Sequence, residues 1–380
     1  MSYANGIPAK TLDTNQPLKV AIVHDWLVGG GAEKVVLELH NMFPEAPIYT
    51  SYCTEEWRKK LGGKVVTGYL QHWPFSKLRK LIPFLRIWWF SNLDLSGYDL
   101  VISSSGNGEA KGIKVPKGVK HICYCHSPTH FYWRHFQKYL DNPGMGFLNP
   151  LARLGLKLMV GPLRKWDYKA AQRPDYMIAN STHIQKDIKK YYGRDSVVIH
   201  PPVDVDRFAD ASAGKREGFI TVGRQVPYKH TELIVQACTN LRVPLRVVGD
   251  GPEHTRLTKL AGPTITFTVG ASDKRVADYM AQASAFIFAA FEDFGVTPVE
   301  AMAAGTPVIA YKNGGALDYV TEGVTGMFFD KQTVRNLEQA IQAFDPHKFD
   351  SSIIKKEATK FSAEKFDENL GTYIKKLFSV

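Results

Sequence analysis

The chain has 380 residues, of which 44% are hydrophobic, 22% charged and 12% aromatic. That length suits two domains of roughly 100–200 residues each, and that balance excludes a disordered chain. Forty-eight basic residues against 37 acidic ones leave a formal charge of +11, a field that favours nucleotides, anionic lipid or nucleic acid as partners.

In chain order, residues 1–17 form a polar tail that lacks the basic patch and apolar run of a signal peptide, so a cytoplasmic location is expected. Residues 18–24 read as a buried strand, and Gly29-Gly-Gly-Ala-Glu33 opens a helical pattern through Val35, Val36, Leu39 and Met42. Strand-like runs follow at 65–68, 100–103, 121–125 and 176–179, most of them ahead of turn residues and a helical pattern. The N-terminal domain, 18–200, is therefore α/β. No run approaches the roughly 20 uncharged apolar residues that span a bilayer; the nearest, 81–90, holds Pro83 and Arg86.

His200-Pro-Pro-Val-Asp204 is a stiff connector. Beyond it the pattern restarts, with strands at 218–222, 245–248, 265–269, 285–288 and 307–310 making a second parallel sheet in domain 201–362. The last segment, 363–380, places Phe366, Leu370, Tyr373, Ile374 and Leu377 on one helical stripe that must pack on something. The cysteines at 53, 123, 125 and 238 are too few and too irregular for a disulfide framework or a structural zinc site. They read as buried thiols.

Open parallel sheets hold nucleotides at the carboxyl ends of their strands, so the chemistry belongs on strand-to-helix loops. Gly30 and Gly31 either let a phosphate approach a helix N-terminus or merely make a tight turn; the loop is neither Gly-x-Gly-x-x-Gly nor a Walker loop. In Gly223-Arg-Gln-Val-Pro-Tyr-Lys229 the two cations can clamp a diphosphate and stabilise it as a leaving group, or be a solvated basic loop. Glu292 and Glu300 are separated by seven intervening residues. With a helix starting near Pro298, Glu292 falls in the loop before it and Glu300 in its first turn, where a carboxylate either faces a ligand or compensates the dipole. His126, after the strand at 121–125, either donates to a sugar hydroxyl or is a hydrogen-bonded structural residue.

As a set these motifs resemble retaining glycosyltransferase family four, over roughly residues 19–378. The most specific part is Phe291-Glu-Asp-Phe-Gly-Val-Thr-Pro-Val-Glu300 running into Ala301-Met-Ala-Ala-Gly305, the family's Glu-x7-Glu signature. Gly223-Arg-x4-Lys229, Asn180-Ser181, Val203-Asp204 and Gly249-Asp-Gly-Pro252 stand in the family's order. The resemblance implies the GT-B fold, two facing Rossmann-like domains with a cleft between them and a C-terminal helix crossing back. It further implies that Arg224 and Lys229 hold the donor diphosphate, that Glu292 contacts the donor sugar and Glu300 the ribose, and that the Phe294-Gly295 backbone approaches sugar and phosphate. His126 would lie against the sugar, Gly30 and Gly31 would face the diphosphate, and the loop at Val269 would contact the base. Asp25 would be an acceptor-side contact.

Transfer with retention is then expected by front-face attack, the leaving phosphate oxygen accepting the acceptor's proton, with no metal or other cofactor required. The segments 121–133 and 164–171 resemble bacterial GDP-mannose-dependent mannosyltransferases of surface polysaccharide assembly, although His130-Phe-Tyr-Trp-Arg134 departs from their usual Arg-Tyr-x-Trp-Asp. From Trp57 to Leu93 there are eight Lys or Arg and no acid, interleaved with Trp73, Phe75, Phe84, Trp88, Trp89 and Phe90, and residues 142–166 are also free of acid. Such a surface suits an anionic membrane, here the inner face of the cytoplasmic membrane, and a lipid-linked saccharide acceptor; the alternative is a buried helix pair with snorkelling cations. A UDP-sugar donor, a sugar-nucleotide epimerase and a basic nucleic-acid-binding protein are the competing readings. The last lacks any helix-turn-helix, zinc-finger or RNP-type motif.

Overall fold

The structure, a computed structural model, describes residues 18–78, 82–106, 108–134, 136–141, 146, 149–211 and 214–379. The polar tail, Arg79, Lys80 and most of 142–148 from the two basic stretches lie outside the described residues. The chain divides into two compact units, one running to Ile199 and taking back the chain from Asn369, the other His200–Glu368.

The first unit is built on seven strands: β1 (Val20–His24), β2 (Ile48–Thr50), β3 (Val65–Val66), β4 (Leu100–Ser105), β5 (Lys120–Cys125), β6 (Tyr176–Ala179) and β7 (Val197–Val198). They pair in the order β3-β2-β1-β4-β5-β6-β7, all parallel. Strand order reverses between β1 and β4, which opens a crevice beyond their carboxyl ends. Helix α1 (Ala32–Met42) buries Val35, Val36 and Leu39, the stripe its sequence predicts. Helix α2 (Pro83–Ser91) starts on a proline, whose missing N–H would have had no helical partner. It buries Trp89 and Phe90 but leaves Phe84 and Trp88 half exposed. Helix α3 (Asn149–Ala170) has Leu151, Leu154 and Leu158 exposed on its first turns.

The second unit has six parallel strands: β8 (Phe219–Val222), β9 (Leu245–Val248), β10 (Ile265–Thr268), β11 (Ala285–Phe288), β12 (Val308–Tyr311) and β13 (Gly326–Phe329). Their order is β10-β9-β8-β11-β12-β13, so the reversal lies between β8 and β11. Both faces are covered. On β11, Phe286 and Phe288 enter one apolar cluster and Ala285 and Ile287 the other, which is why the strand is apolar throughout and does not alternate.

Helix α4 (Val296–Ala303) begins two residues before the expected start near Pro298. Gly295, at φ 86°, turns the chain directly into the helix, and Pro298 fits the first turn because its missing N–H has no carbonyl to meet there. Glu300 therefore belongs to the second turn, not the first.

The closing helix α5 (Ala363–Phe378) buries Phe366, Leu370 and Ile374. Its final turns pack on the first unit, with Tyr373 edge-on to Tyr176 at 6.3 Å and the Leu377 carbonyl accepting from Lys120. All four cysteines are free and buried. Burial pushes the Cys123 thiol up to about 11 and Cys238 to about 12, so neither is a reactive thiolate. Among the described residues no helix is long and apolar enough to cross a membrane.

Candidate functional site

In the second unit the chain leaves β8 through Gly223, at φ 151°, into Arg224 and the buried Gln225. Gln225 braces this loop. Its backbone N–H donates to Asp250 O at 2.8 Å, its Nε2 to Gly249 O at 2.7 Å, and its Oε1 lies 2.9 Å from His254 Nδ1. The bracing turn can lie this close only without side chains. A Cβ on Gly249 would sit 2.2 Å from Gly223 O, and one on Gly251 2.4 Å from Gln225 O.

The short turn Pro227–Lys229 then presents Lys229. Its ammonium forms an ion pair with Glu292 and lies 6.0 Å from the centroid of the Phe288 ring. Arg224, Lys229, Gly223 and Phe288 together line a pocket at the β8–β11 reversal. The structure thus brings Lys229 and Glu292 into direct contact, with Arg224 on the same pocket wall.

The loop carrying Glu292 is held from behind. Gly315 N–H donates to Glu292 O at 2.9 Å, and Cβ atoms on Gly314 and Gly315 would fall 2.4 Å from Glu292 O and 2.3 Å from Phe294 Cα. Phe294, 3% exposed, stacks on His200 at 5.5 Å and meets Tyr319 edge-on, so it is a core anchor whose backbone alone is available to a ligand. Glu300 is 8% exposed, with Arg207 Nη2 3.6 Å from its carboxylate. The same guanidinium binds Asp273 at 2.8 Å and reaches Asp204 at 3.8 Å. Val269 is half exposed just past β10.

In the first unit, Gly30 and Gly31 are exposed on the β1–α1 loop. Glu33, 4% exposed, shapes that loop by accepting from Gly29 N–H at 2.9 Å and Val28 N–H at 3.3 Å. Asp25, expected as an acceptor-side contact, is 3% exposed. Its carboxylate accepts from the backbone N–H of Gly106 at 2.9 Å, Gly108 at 3.3 Å and Ala110 at 2.9 Å. That makes it the anchor of the loop after β4. Arg86, counted among the surface cations, is buried and grips Glu109 of the same loop with bonds of 2.9 and 2.8 Å. Lys111 closes the loop against Asp167 at 2.6 Å. Burial alone would lower the Lys111 pKa, but the Asp167 carboxylate outweighs it and holds the ammonium above its ordinary value. Asp167 also accepts from Thr129 at 2.8 Å, Trp133 at 2.7 Å and Tyr192 at 2.8 Å. His126 lies at the end of β5, half-buried, with Nε2 2.7 Å from Ser104 Oγ.

Sequence reasoning missed Gln225, Arg207, Glu33 and the Asp25–Arg86–Asp167 framework. Gln225 lies between Arg224 and Lys229 in the loop after β8, and the glycines of Gly249-Asp-Gly251 are the visible sign that something packs there. Nothing local marks Asp167, whose partners are distant in sequence, and for Arg207 the nearby Asp204 does not foretell Asp273 or Glu300.

Residues 29–207 match the family model described as Glycosyltransferase Family 4, and residues 202–360 the one described as Glycosyl transferases group 1. The chain belongs to glycosyltransferase family four. Among curated relatives, a GDP-mannose-dependent alpha-(1-6)-phosphatidylinositol monomannoside mannosyltransferase of Mycolicibacterium smegmatis is 30% identical over 181 residues, 40% of this chain and 47% of that protein. A D-inositol 3-phosphate glycosyltransferase of Streptomyces bingchenggensis is 30% identical over 188 residues, 40% of this chain and 41% of that protein. The chain spans less than half the length of these relatives. Among solved structures, HepE of Anabaena in complex with UDP has a TM-score of 0.68 at 17% identity, covering 94% of this chain and 100% of that one. Sucrose-phosphate synthase of Thermosynechococcus elongatus has a TM-score of 0.67 at 18% identity, covering 95% and 99%. This family-four chain therefore has the GT-B fold.

Proposed function

We propose that this chain transfers a sugar from a nucleotide diphosphate donor to a saccharide acceptor, with retention of configuration. The observation that carries the reading is the Lys229–Glu292 ion pair beside Arg224 at the strand reversal of the second unit. When a diphosphate enters, Lys229 exchanges a carboxylate for phosphate oxygens, and Glu292 is released to accept from sugar hydroxyls. One ligand thus satisfies both halves of the pair. Arg224 and Lys229 then stabilise charge on the departing phosphate, the place where a preorganised cation lowers the barrier most. The leaving oxygen takes the acceptor's proton on the same face of the sugar. In this reading Glu300 holds the ribose, with Arg207 orienting its carboxylate, Val269 lies against the base, and the two cations supply the charge that a divalent metal would otherwise provide.

Mannose from GDP-mannose is the proposed donor, supported by the name of the Mycolicibacterium relative. A UDP-sugar is the second reading, favoured by the UDP in the HepE structure. A lipid-linked acceptor and a peripheral position on the inner face of the cytoplasmic membrane are proposed from the exposed Trp73, Phe84, Trp88, Leu151, Leu154 and Leu158, which lie in the acid-free stretches with Arg153 and Lys157.

The test is a thermal-shift series with GDP-mannose, UDP-glucose and UDP-N-acetylglucosamine, without added metal, on the wild type, Glu300→Ala and Lys229→Ala. A ligand at about a hundred times its Kd stabilises by about 2.7 kcal/mol, so a selective response names base and sugar, and both variants should weaken it while remaining folded. Responses that survive both substitutions would remove these residues from the site. An altered sugar nucleotide released without acceptor would indicate an epimerase, and DNA-selective retention on columns a nucleic-acid-binding protein.

A further inference from the structure

We propose that Ser104 is a positioning residue that holds His126 as a neutral imidazole with its proton on Nδ1, so that this ring meets a sugar as a hydrogen-bond donor and neither as a base nor as a cation. The catalytic consequence rests on the reading above. The tautomer follows from the first unit alone.

Three adjacent strands bring the groups together. His24 on β1 and Ser104 on β4 are register partners, so their side chains share a face of the sheet, and His126 follows β5 on the other side of β4. His24 Nδ1 lies 2.9 Å from the Ser104 carbonyl oxygen and 3.1 Å from Ser104 Oγ. A carbonyl oxygen only accepts, so His24 Nδ1 must carry a hydrogen and has no lone pair to offer the hydroxyl. Ser104 is wholly buried and therefore needs another acceptor for its own hydrogen. Among the described residues, the one remaining within reach is His126 Nε2, at 2.7 Å. Ser104 donates and Nε2 accepts, which leaves the ring proton on Nδ1.

Charging the ring would reverse this bond. Nε2 would become a donor, Ser104 Oγ would receive hydrogens from both histidines, and the hydroxyl hydrogen would be buried without an acceptor. The orientation is fixed by packing as well. The ring lies over Tyr124 at 5.1 Å and meets His24 edge-on at 6.4 Å, and a Cβ on Gly106 would come within 3.2 Å of His126 Cβ. A ring flip would put a carbon against Ser104.

The experiment is long-range proton–nitrogen NMR of the histidine rings in the ligand-free full chain at neutral pH, with His126 assigned by its loss in His126→Gln. The expected pattern is a protonated Nδ1 and an unprotonated Nε2. Ser104→Ala should turn this into a mixture of tautomers, and Ser104→Thr, which keeps the hydroxyl, should restore it. With an accepted nucleotide sugar, Ser104→Ala should lower kcat by about tenfold to a hundredfold, the scale on which lost alignment acts, while the Km for the donor stays within about twofold. A protonated Nε2 or an imidazolium in the wild type would overturn the proposal, as would an unchanged pattern in Ser104→Ala; the wild-type spectrum decides even if that variant does not fold. The predicted pattern together with no transfer from any nucleotide sugar would leave the relay standing and remove the functional reading.

Discussion

Gly315→Ala gives the most direct test of how the loop bearing Glu292 is held. A methyl group at this position would lie 2.3 Å from both Phe294 Cα and its carbonyl oxygen, where ordinary contact begins near 3.4 Å, so one side must move by about 1 Å. Phe294 cannot absorb the shift through its side chain, which is wedged among His200, Tyr319 and Phe361 at centroid distances of 5.5, 5.5 and 5.7 Å. The displacement therefore passes into the backbone between Glu292 and Gly295, and the Gly315 N–H to Glu292 O bond goes with it. Overpacking of this kind costs about 1–3 kcal/mol of stability, and a misplacement near 1 Å in a catalytic site costs about a hundredfold in rate. Urea unfolding would measure the first, and initial rates with a saturating nucleotide sugar the second. A variant with wild-type stability and a rate within about twofold of wild type would refute the argument that backbone contact positions this loop.

Gly31→Ala is the opposite case: it meets nothing within 4 Å and has φ −72°, so stability should hold or rise by about 0.4–1 kcal/mol. If that loop faces the donor diphosphate, nucleotide affinity measured by calorimetry should nonetheless fall, and unchanged affinity would take the loop out of the site. Asp167→Asn keeps the size of the side chain but strands the buried Lys111 charge, which should cost about 3–5 kcal/mol in urea unfolding followed by Trp133 fluorescence. A loss below about 1 kcal/mol would show that the ion pair is not the anchor described. His121 is driven down to about 3 from an ordinary value near 6.5, first by burial and then by Arg173 and Arg194. The unfolded chain therefore binds the proton first, and this contribution to stability is present above pH 6.5 and lost as pH falls toward 3, at about 1.4 kcal/mol per unit. Between pH 7 and 5 the wild type should lose about 2 kcal/mol more than His121→Gln; parallel profiles would contradict the assignment.

Strands such as β1, β5 and β11 were legible because both faces of a parallel sheet are buried, which writes a continuous apolar run into the sequence. Strands β2, β7 and β13 were not picked out. The first two are only three and two residues long, and β13 begins on a glycine whose absent side chain lets it lie against the Val308 backbone. In the second unit the residues that come together, Lys229 and Glu292 with Arg224 beside Lys229, sit in two short motifs whose spacing is set by local turns, so their grouping was legible. The framework of the first unit was not. Asp25 and Arg86 are unremarkable as single letters, and their roles come from a loop more than twenty residues further along the chain. What sequence reasoning lacked there was the pairing of distant charges, which no local period encodes.

The two units keep their strand-end loops in place by different physics, and this sets what each tolerates. In the second unit, glycines at 249, 251, 314 and 315 let backbone lie on backbone, so the loops bearing Arg224 and Glu292 are fixed by shape. A methyl group added at these glycines would displace the backbone they lie against. In the first unit, the loop at 106–111 is held by Asp25, Arg86 and Asp167 through charge-assisted bonds in a buried setting, where losing one partner strands another. Removing a charge damages that loop by stranding its buried partner. The division suits the proposed chemistry. A highly charged diphosphate brings its own strong field, so the backbone that carries its cations is safest held by contacts that do not titrate, while an uncharged sugar hydroxyl exerts no field able to rearrange buried ion pairs beside it.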